Sequence, residues 1–336
     1  MKSSVHVYVD PACDFLYASF YIHGLKQLFP SLSYSSRYFK SFKHNNCHFA
    51  FVLRRGKSVF KGLIDFGDSY EIDAKALEWC DVYGKININA ERCALSTHPK
   101  LLARGPGFAI RLHAPVKTWR LALINYVKAA PRIGNKRRFF ADYYAQLRRQ
   151  PLSYYQAQPS LSDYIFFAGA LWKKEQETNR TRANYIRACR RLSGVRFEGG
   201  FAPRSQNDIP GYEDLTMAAN VPMADYLLKL KESATVFNTP VILDCHGWKL
   251  GEFMALGKAV VATPVINQLP RPLNHGEEVL FVDGSEEQIY AALEKLIGDE
   301  ALRRRLEENI RAYYLEYVAP DRAIARLLKH GRFEDI

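Results

Sequence analysis

Val5, Val7 and Val9 alternate with polar neighbours, a period of two that predicts an opening strand. Residues 15–29 are apolar-rich, with Tyr17, Tyr21 and Leu25 at helical spacing, so a helix follows. Residues 48–54 and 58–65 read as two strands around the turn Arg55-Gly56-Lys57, followed by a short helix near 74–78 and a strand over 81–88. The stretch RQPLSYYQAQPSLSD, residues 149–163, holds two prolines and several small polar residues, which marks it as a linker. Beyond it, YIFFAG, VRFEGG, SATVFN, AVVATP and VLFVDG are short apolar runs ending in turn residues, with helical stretches between most of them. Such alternation predicts a parallel sheet flanked by helices, an α/β fold. Residues 287–297 and 301–317 carry apolar side chains at helical spacing, and Pro320 is placed to open a last helix through Leu328.

A chain of 336 residues with 48% hydrophobic content is long enough for two domains, each with its own core. Its formal charge of +12 favours anionic partners, and basic clusters stand at 136–138, 187–191 and 303–305. Six cysteines form neither a C-x-x-C pair nor a compact framework, which reads as reduced thiols. MKSSVHVYVD reaches Asp10 before an apolar signal core forms, and no apolar run approaches the roughly 18–20 residues of a membrane span. The expected location is the cytoplasm, and the arginine clusters allow peripheral attachment at the inner face of a membrane.

The segment 244–263, DCHGWKLGEFMALGKAVVAT, reads as loop, helix, glycine turn and buried strand. Leu250, Phe253, Met254 and Gly257 fall on one stripe, which leaves Lys249 and Glu252 outside it and free to face a ligand. Taken alone, a Lys/Glu pair at i, i+3 with a glycine cap is an ordinary solvated face. Here Asp244 and Glu252 lie eight positions apart across a glycine-containing helix start, and a buried strand follows at once. Helix N-terminal N–H groups attract phosphate oxygens, a carboxylate one turn in accepts hydrogen bonds from ribose hydroxyls, and ligands of open α/β sheets sit at such loops.

These residues resemble the donor-binding half of GT-B glycosyltransferases, in particular the retaining group with an E-x(7)-E motif. Asp244 stands at the first carboxylate, Glu252 at the second, and Gly257-Lys258-Ala259-Val260-Val261-Ala262-Thr263 at the strand that follows. The run His275-Gly276-Glu277-Glu278-Val279-Leu280-Phe281-Val282 is similar to a later family segment. Two departures stand out: the first carboxylate is Asp, not Glu, and the usual Gly-Phe-Gly-Leu-Pro is His246-Gly247-Trp248-Lys249-Leu250.

The resemblance implies two Rossmann-like domains facing across a cleft: an acceptor domain over 1–155, a nucleotide-sugar domain over 156–318, and a final helix over 319–336 crossing back to the first. It implies transfer of a sugar, metal-free and with retention, to a saccharide or lipid-linked saccharide in surface polysaccharide synthesis. By the same resemblance Glu252 binds ribose, the backbone near His246, Gly247, Trp248 and Leu250 holds the diphosphate, and Asp244 and Lys249 act on the reacting groups. Gly169 matches the family's first phosphate loop, where the arginine is replaced by Ala170, so Lys173, Lys174 or Arg204 would supply the cation. On the acceptor side Asp14, Tyr17 and His113 are candidates, beside His23, His98, Asp81 and Lys85. No cofactor beyond the nucleotide sugar is implied, and UDP and GDP donors are not distinguished.

Gly251 to Ala259 imitates a P-loop but has one residue too many and lacks the Ser/Thr that ligates magnesium. No Gly-x-Gly-x-x-Gly follows the first strand, and no Asp-x-Asp is present. Two other readings stay open: a GT-B-shaped protein that binds a nucleotide without transfer, and a basic protein that binds nucleic acid or an anionic membrane. No nucleic-acid module signature accompanies the charge, so nucleic acid is not the expected partner.

Overall fold

The computed structural model describes residues 5–204 and 209–335. The chain forms two compact units: one built from residues up to 154 with 267–271 and the tail from 316, the other from 155–266 and 272–315.

Among the described residues the first unit contains β1 (His6–Val9), α1 (Phe15–Leu28), β2 (Leu32–Tyr34), β3 (His48–Arg55), β4 (Ser58–Asp65), α2 (Ala74–Trp79), β5 (Val82–Lys85), β6 (Leu101–Ala103), α3 (Pro115–Ala129) and α4 (Lys136–Leu147). Its six-stranded sheet runs β2-β1-β3-β4-β5-β6. Most pairings are parallel, but β3 runs antiparallel to both β1 and β4. The reason is local: only Gly56 and Lys57 separate β3 from β4, whereas a parallel crossover needs a dozen residues or more. Gly56 takes φ 61°, the left-handed conformation a tight hairpin asks for.

In the second unit β7 (Tyr164–Gly169) pairs in parallel with β8 (Arg196–Phe201) across α5 (Gln176–Arg191). After α6 (Met223–Glu232), the strands β9 (Thr235–Asn238), β10 (Ala259–Ala262) and β11 (Val279–Phe281) make a parallel sheet of order β11-β10-β9, with α7 (Trp248–Leu256) as the first crossover. β7 and β9 meet through a side chain: Ser233 Oγ accepts from Phe166 N (2.9 Å) and donates to Thr235 O (2.6 Å). The single parallel sheet expected from the pattern is divided in two. α8 (Glu286–Gly298) is capped by Ser285, whose side chain accepts from Gln288 N, and α9 (Glu300–Tyr313) by Asp299.

The expected helix over 301–317 is α-helical to Tyr313 and continues as a π-helix over Tyr314–Val318. Pro320 has no N–H to continue the ladder, so the chain restarts as α10 (Pro320–His330). α10 belongs to the first unit and buries Ala323, Ile324, Leu327 and Leu328. It reaches α1 at Gly24, where a Cβ would stand 2.1 Å from Pro320 O. Only glycine permits that approach.

Candidate functional site

The loop that leaves β7 is held by side chains from several parts of the second unit. Asn179, buried in α5, accepts from Trp172 N through Oδ1 (2.9 Å) and donates from Nδ2 to Trp172 O (2.8 Å). Three cations distant in sequence donate to carbonyls at the end of β7 and in the loop after it: Lys249 to Ala168 O, Arg182 Nη1 to Ala170 O (2.9 Å), and Arg204 Nη1 to Leu171 O (2.9 Å). Arg182 also donates from Nε to Thr239 Oγ1 (3.0 Å), the residue after β9, and its Nη2 makes no hydrogen bond among the described residues.

Burial holds the Arg182 guanidinium down to about 10 and the Lys249 ammonium down to about 7. For Lys249 the neighbouring Arg182 charge acts in the same direction and Glu252 opposes both. Part of the Lys249 side chain stays accessible while its ammonium lies inside, 5.7 Å from the Phe167 ring centroid and 5.8 Å from that of Tyr226.

Helix α7 begins at Gly247 without a side-chain cap, which leaves its first N–H groups without that partner. Gly257 closes it in the left-handed conformation, φ 61° and ψ 51°. Its approach is strained: Leu243 (φ 55°) and Asp244 (φ 59°) are consecutive left-handed residues, neither of them glycine. Asp244 is half-buried, as is Trp248, whereas His246 and Leu250 are buried.

One expectation needs correction here. The apolar stripe leaves Glu252 on the other side of the helix, yet Glu252 is only 4% exposed. From Leu250 to Leu256 every residue of α7 is buried, because the helix is enclosed all round and the carboxylate is carried inward with it. Glu252 and Lys249 therefore form part of an interior polar group, not a solvated face.

The other sequence candidates scatter. Gly169 ends β7, and its carbonyl accepts from Ala202 N (2.7 Å). Lys173 is exposed and lines a recess of about 690 Å³ with Gln176, Arg180, Pro210 and Tyr212, which Lys249 does not line. Arg182, which is not among the sequence candidates, is buried against this loop. Its signal was a charged residue beside Ala183 on the buried stripe that also carries Asn179 and Ile186, a position where an unpaired charge is expensive.

In the first unit Asp14 sits at the N-cap of α1 but makes no cap bond to it. Its Oδ1 accepts from Asn45 N (2.8 Å) and lies 3.5 Å from His44 Nε2, which is also 3.5 Å from Asp142 Oδ2. All three side chains are buried, and Asp142 Oδ2 has no hydrogen-bond partner among the described residues. The Asp14 carboxyl is held above the usual range by burial and then, with His44 opposing, by the like charge of Asp142. One ligand atom from each residue lies within 4.8 Å of the others.

Tyr17, one turn on, stacks on Phe66 with centroids 5.1 Å apart. His113 is not brought to this group. Its Nε2 is 2.9 Å from Lys26 Nζ, at the other end of α1 and roughly 18 Å along the helix from Asp14 at 1.5 Å per residue. Burial and the charges of Lys26 and Lys117 lower His113 to about 4.

Parallel strands with helix starts and buried cations beyond their carboxyl ends define a mixed α/β protein with Rossmann-like elements. Residues 212–313, which include α6 to α9, match the family described as Glycosyl transferases group 1. The glycosyltransferase resemblance, without its retaining E-x(7)-E detail, is thus borne out over this segment. The C-terminal domain of a glycosyl transferase group 1 family protein (LpcC) from Francisella tularensis is 18% identical, covering 45% of this chain and 83% of its own, at a TM-score of 0.31. A glycosyltransferase from Rickettsia africae ESF-5 is 10% identical over 79% of this chain and 68% of its own, at 0.44. Anabaena Alr3699/HepE in complex with UDP is 12% identical over 74% and 72%, at 0.39. No curated protein matches the chain.

Proposed function

We propose that the chain is a glycosyltransferase whose second unit binds the diphosphate of a nucleotide sugar beside the loop after β7. The observation that carries this reading is the pair Arg182 and Lys249: two inward bases that converge on the carbonyls at the end of β7, with the acid Glu252 beside Lys249. Such an arrangement destabilises the empty protein and is relieved by an anion. The family match over 212–313 supports sugar transfer as the chemistry.

In this reading Lys249 turns from the Ala168 carbonyl to a phosphate oxygen, and Arg182 adds its unused Nη2. The positive end of the α7 dipole shares the charge that develops on the departing diphosphate. Glu252 accepts hydrogen bonds from ribose hydroxyls, and Asp244 faces the transferred sugar. The first unit takes a saccharide or lipid-linked saccharide acceptor, with Asp14 and Tyr17 as its candidate contacts.

Thermal shift against UDP, GDP, ADP, CMP and TDP tests the donor half. A ligand at about 100 times its dissociation constant stabilises by roughly 2.7 kcal/mol. The expected result is a rise with at least one diphosphate that is lost in Arg182→Met. No response to any nucleotide, with the protein folded, overturns the reading. Binding without transfer or donor hydrolysis, unchanged in Glu252→Ala, assigns the chain to nucleotide binding alone.

A further inference from the structure

Helix α3 is amphipathic in the inverse sense for a protein surface in water. Its buried positions are Thr118, Ala122, Asn125 and Ala129, all small or polar, and Asn125 Nδ2 donates to Tyr143 OH (2.9 Å) on α4. Its large apolar residues point outward: Val116 is 83% exposed, Leu123 59% and Val127 76%, with Trp119 and Ile124 beside them. At about 100° per residue Val116, Leu123 and Val127 fall within ~40° of one another, so they form one stripe.

The charge around this stripe has one sign. Residues 92–141 contain no Asp or Glu but eleven Lys and Arg. Lys117, Arg120 and Lys128 share the exposed side of α3, and Lys136 and Arg137 open α4, all of them exposed.

We propose that α3 lies in the interfacial plane of an anionic lipid surface, its Val116-Leu123-Val127 stripe among the acyl chains and its bases against the headgroups. An interfacial helix has this composition: an apolar face, flanking Lys and Arg, and a tryptophan at the boundary. A second copy of the chain is a poor occupant, because two such faces would bring like charges together without an acid to offset them. No helix among the described residues is long and apolar enough to cross a membrane, so contact through this helix is superficial. The inference stands apart from the transferase reading, because it uses no residue of the nucleotide site.

Sedimentation with vesicles tests it, in the absence of nucleotide. Wild-type protein is expected to pellet with phosphatidylcholine vesicles containing about one third phosphatidylglycerol, weakly with phosphatidylcholine alone, and less as salt rises. The pair Leu123→Asn with Val127→Asn should lower partitioning at least ~10-fold, and Lys117→Gln should lower it roughly fivefold, the loss expected for one surface charge. All three positions are exposed, so melting temperatures should stay as in wild type. Three results overturn the proposal: no pelleting of wild type, equal pelleting of the Leu123/Val127 variant, or a wild-type dimer in solution that this variant dissociates.

Discussion

Lys249→Met separates a functional lysine from a structural one. A lysine that titrates at about 7 in the folded chain and at its ordinary 10.5 when unfolded costs roughly 4 kcal/mol of stability at pH 7. The sign follows from proton binding: between these values the unfolded chain holds the proton more tightly, so wild-type stability rises with pH across that window. Methionine keeps most of the volume and removes the charge, but it leaves the Ala168 carbonyl without its donor, a loss of about 1–3 kcal/mol. Lys249→Met should therefore unfold about 1–3 kcal/mol later than wild type at pH 7, measured in denaturant. That advantage should shrink as pH rises toward 10.5.

Ligand binding gives the second half of the test. At pH 8 a lysine with this depressed value is about nine-tenths neutral, and a bound diphosphate would recharge it. Titration calorimetry in two buffers of different ionisation enthalpy should show uptake of about 0.9 proton per site in wild type. In Lys249→Met the uptake should vanish and affinity should fall at least ~10-fold, as for a lost charged hydrogen bond of about 1.5–3 kcal/mol. A variant that is less stable at every pH refutes the depressed lysine. A variant that binds nucleotide with unchanged affinity and proton uptake refutes its role.

Gly24→Ala places a methyl group against the Pro320 carbonyl and should destabilise by roughly 3 kcal/mol in denaturant unfolding, the upper range of overpacking. Asp65 Oδ2 accepts from Lys85 Nζ (2.8 Å) and Tyr83 OH (2.7 Å), all three residues being buried. Asp65→Asn leaves that ammonium uncompensated and should lower stability by about 3–5 kcal/mol in the same measurement. Asp14 has a raised carboxyl, so the folded chain holds its proton more tightly and its charge weakens the fold as pH rises through that raised value. Asp14→Asn should accordingly melt above wild type at pH 7, with the difference fading toward pH 4.

Local periodicity located most elements because each carries its own signal. The alternating valines give β1, the turn around Gly56 gives the β3–β4 hairpin, and the apolar runs of the second half become β7 to β11. Pairing was less accessible. The reversal of β3 follows from loop length, whereas no pattern marks the separation of β7–β8 from the β9 sheet, where Ser233 Oγ accepts from Phe166 N beside the backbone bond from Ala234 N to Tyr164 O.

Chemistry at the candidate site divides in the same way. A helix start without a side-chain cap and an acid one turn in are features of a continuous segment, and 244–252 shows them in sequence. The direction of Glu252, the neighbour of Lys249 and the identity of the loop's buried arginine are not properties of a segment. Arg182 lies 62 residues before Asp244 in the chain, and its guanidinium reaches Ala170 and Thr239 only because β7, α5 and β9 fold together. Asp14, His44 and Asp142 likewise come from a helix cap, a loop and a distant helix. The outward apolar face of α3 is decided by tertiary packing, since hydrophobic spacing announces a stripe but not the side on which it lies. Sequence sets which residues recur on one face of a helix or strand, because backbone periodicity is local. Tertiary structure alone decides which faces are buried and which charges meet, because burial and Coulomb energy depend on distances in space.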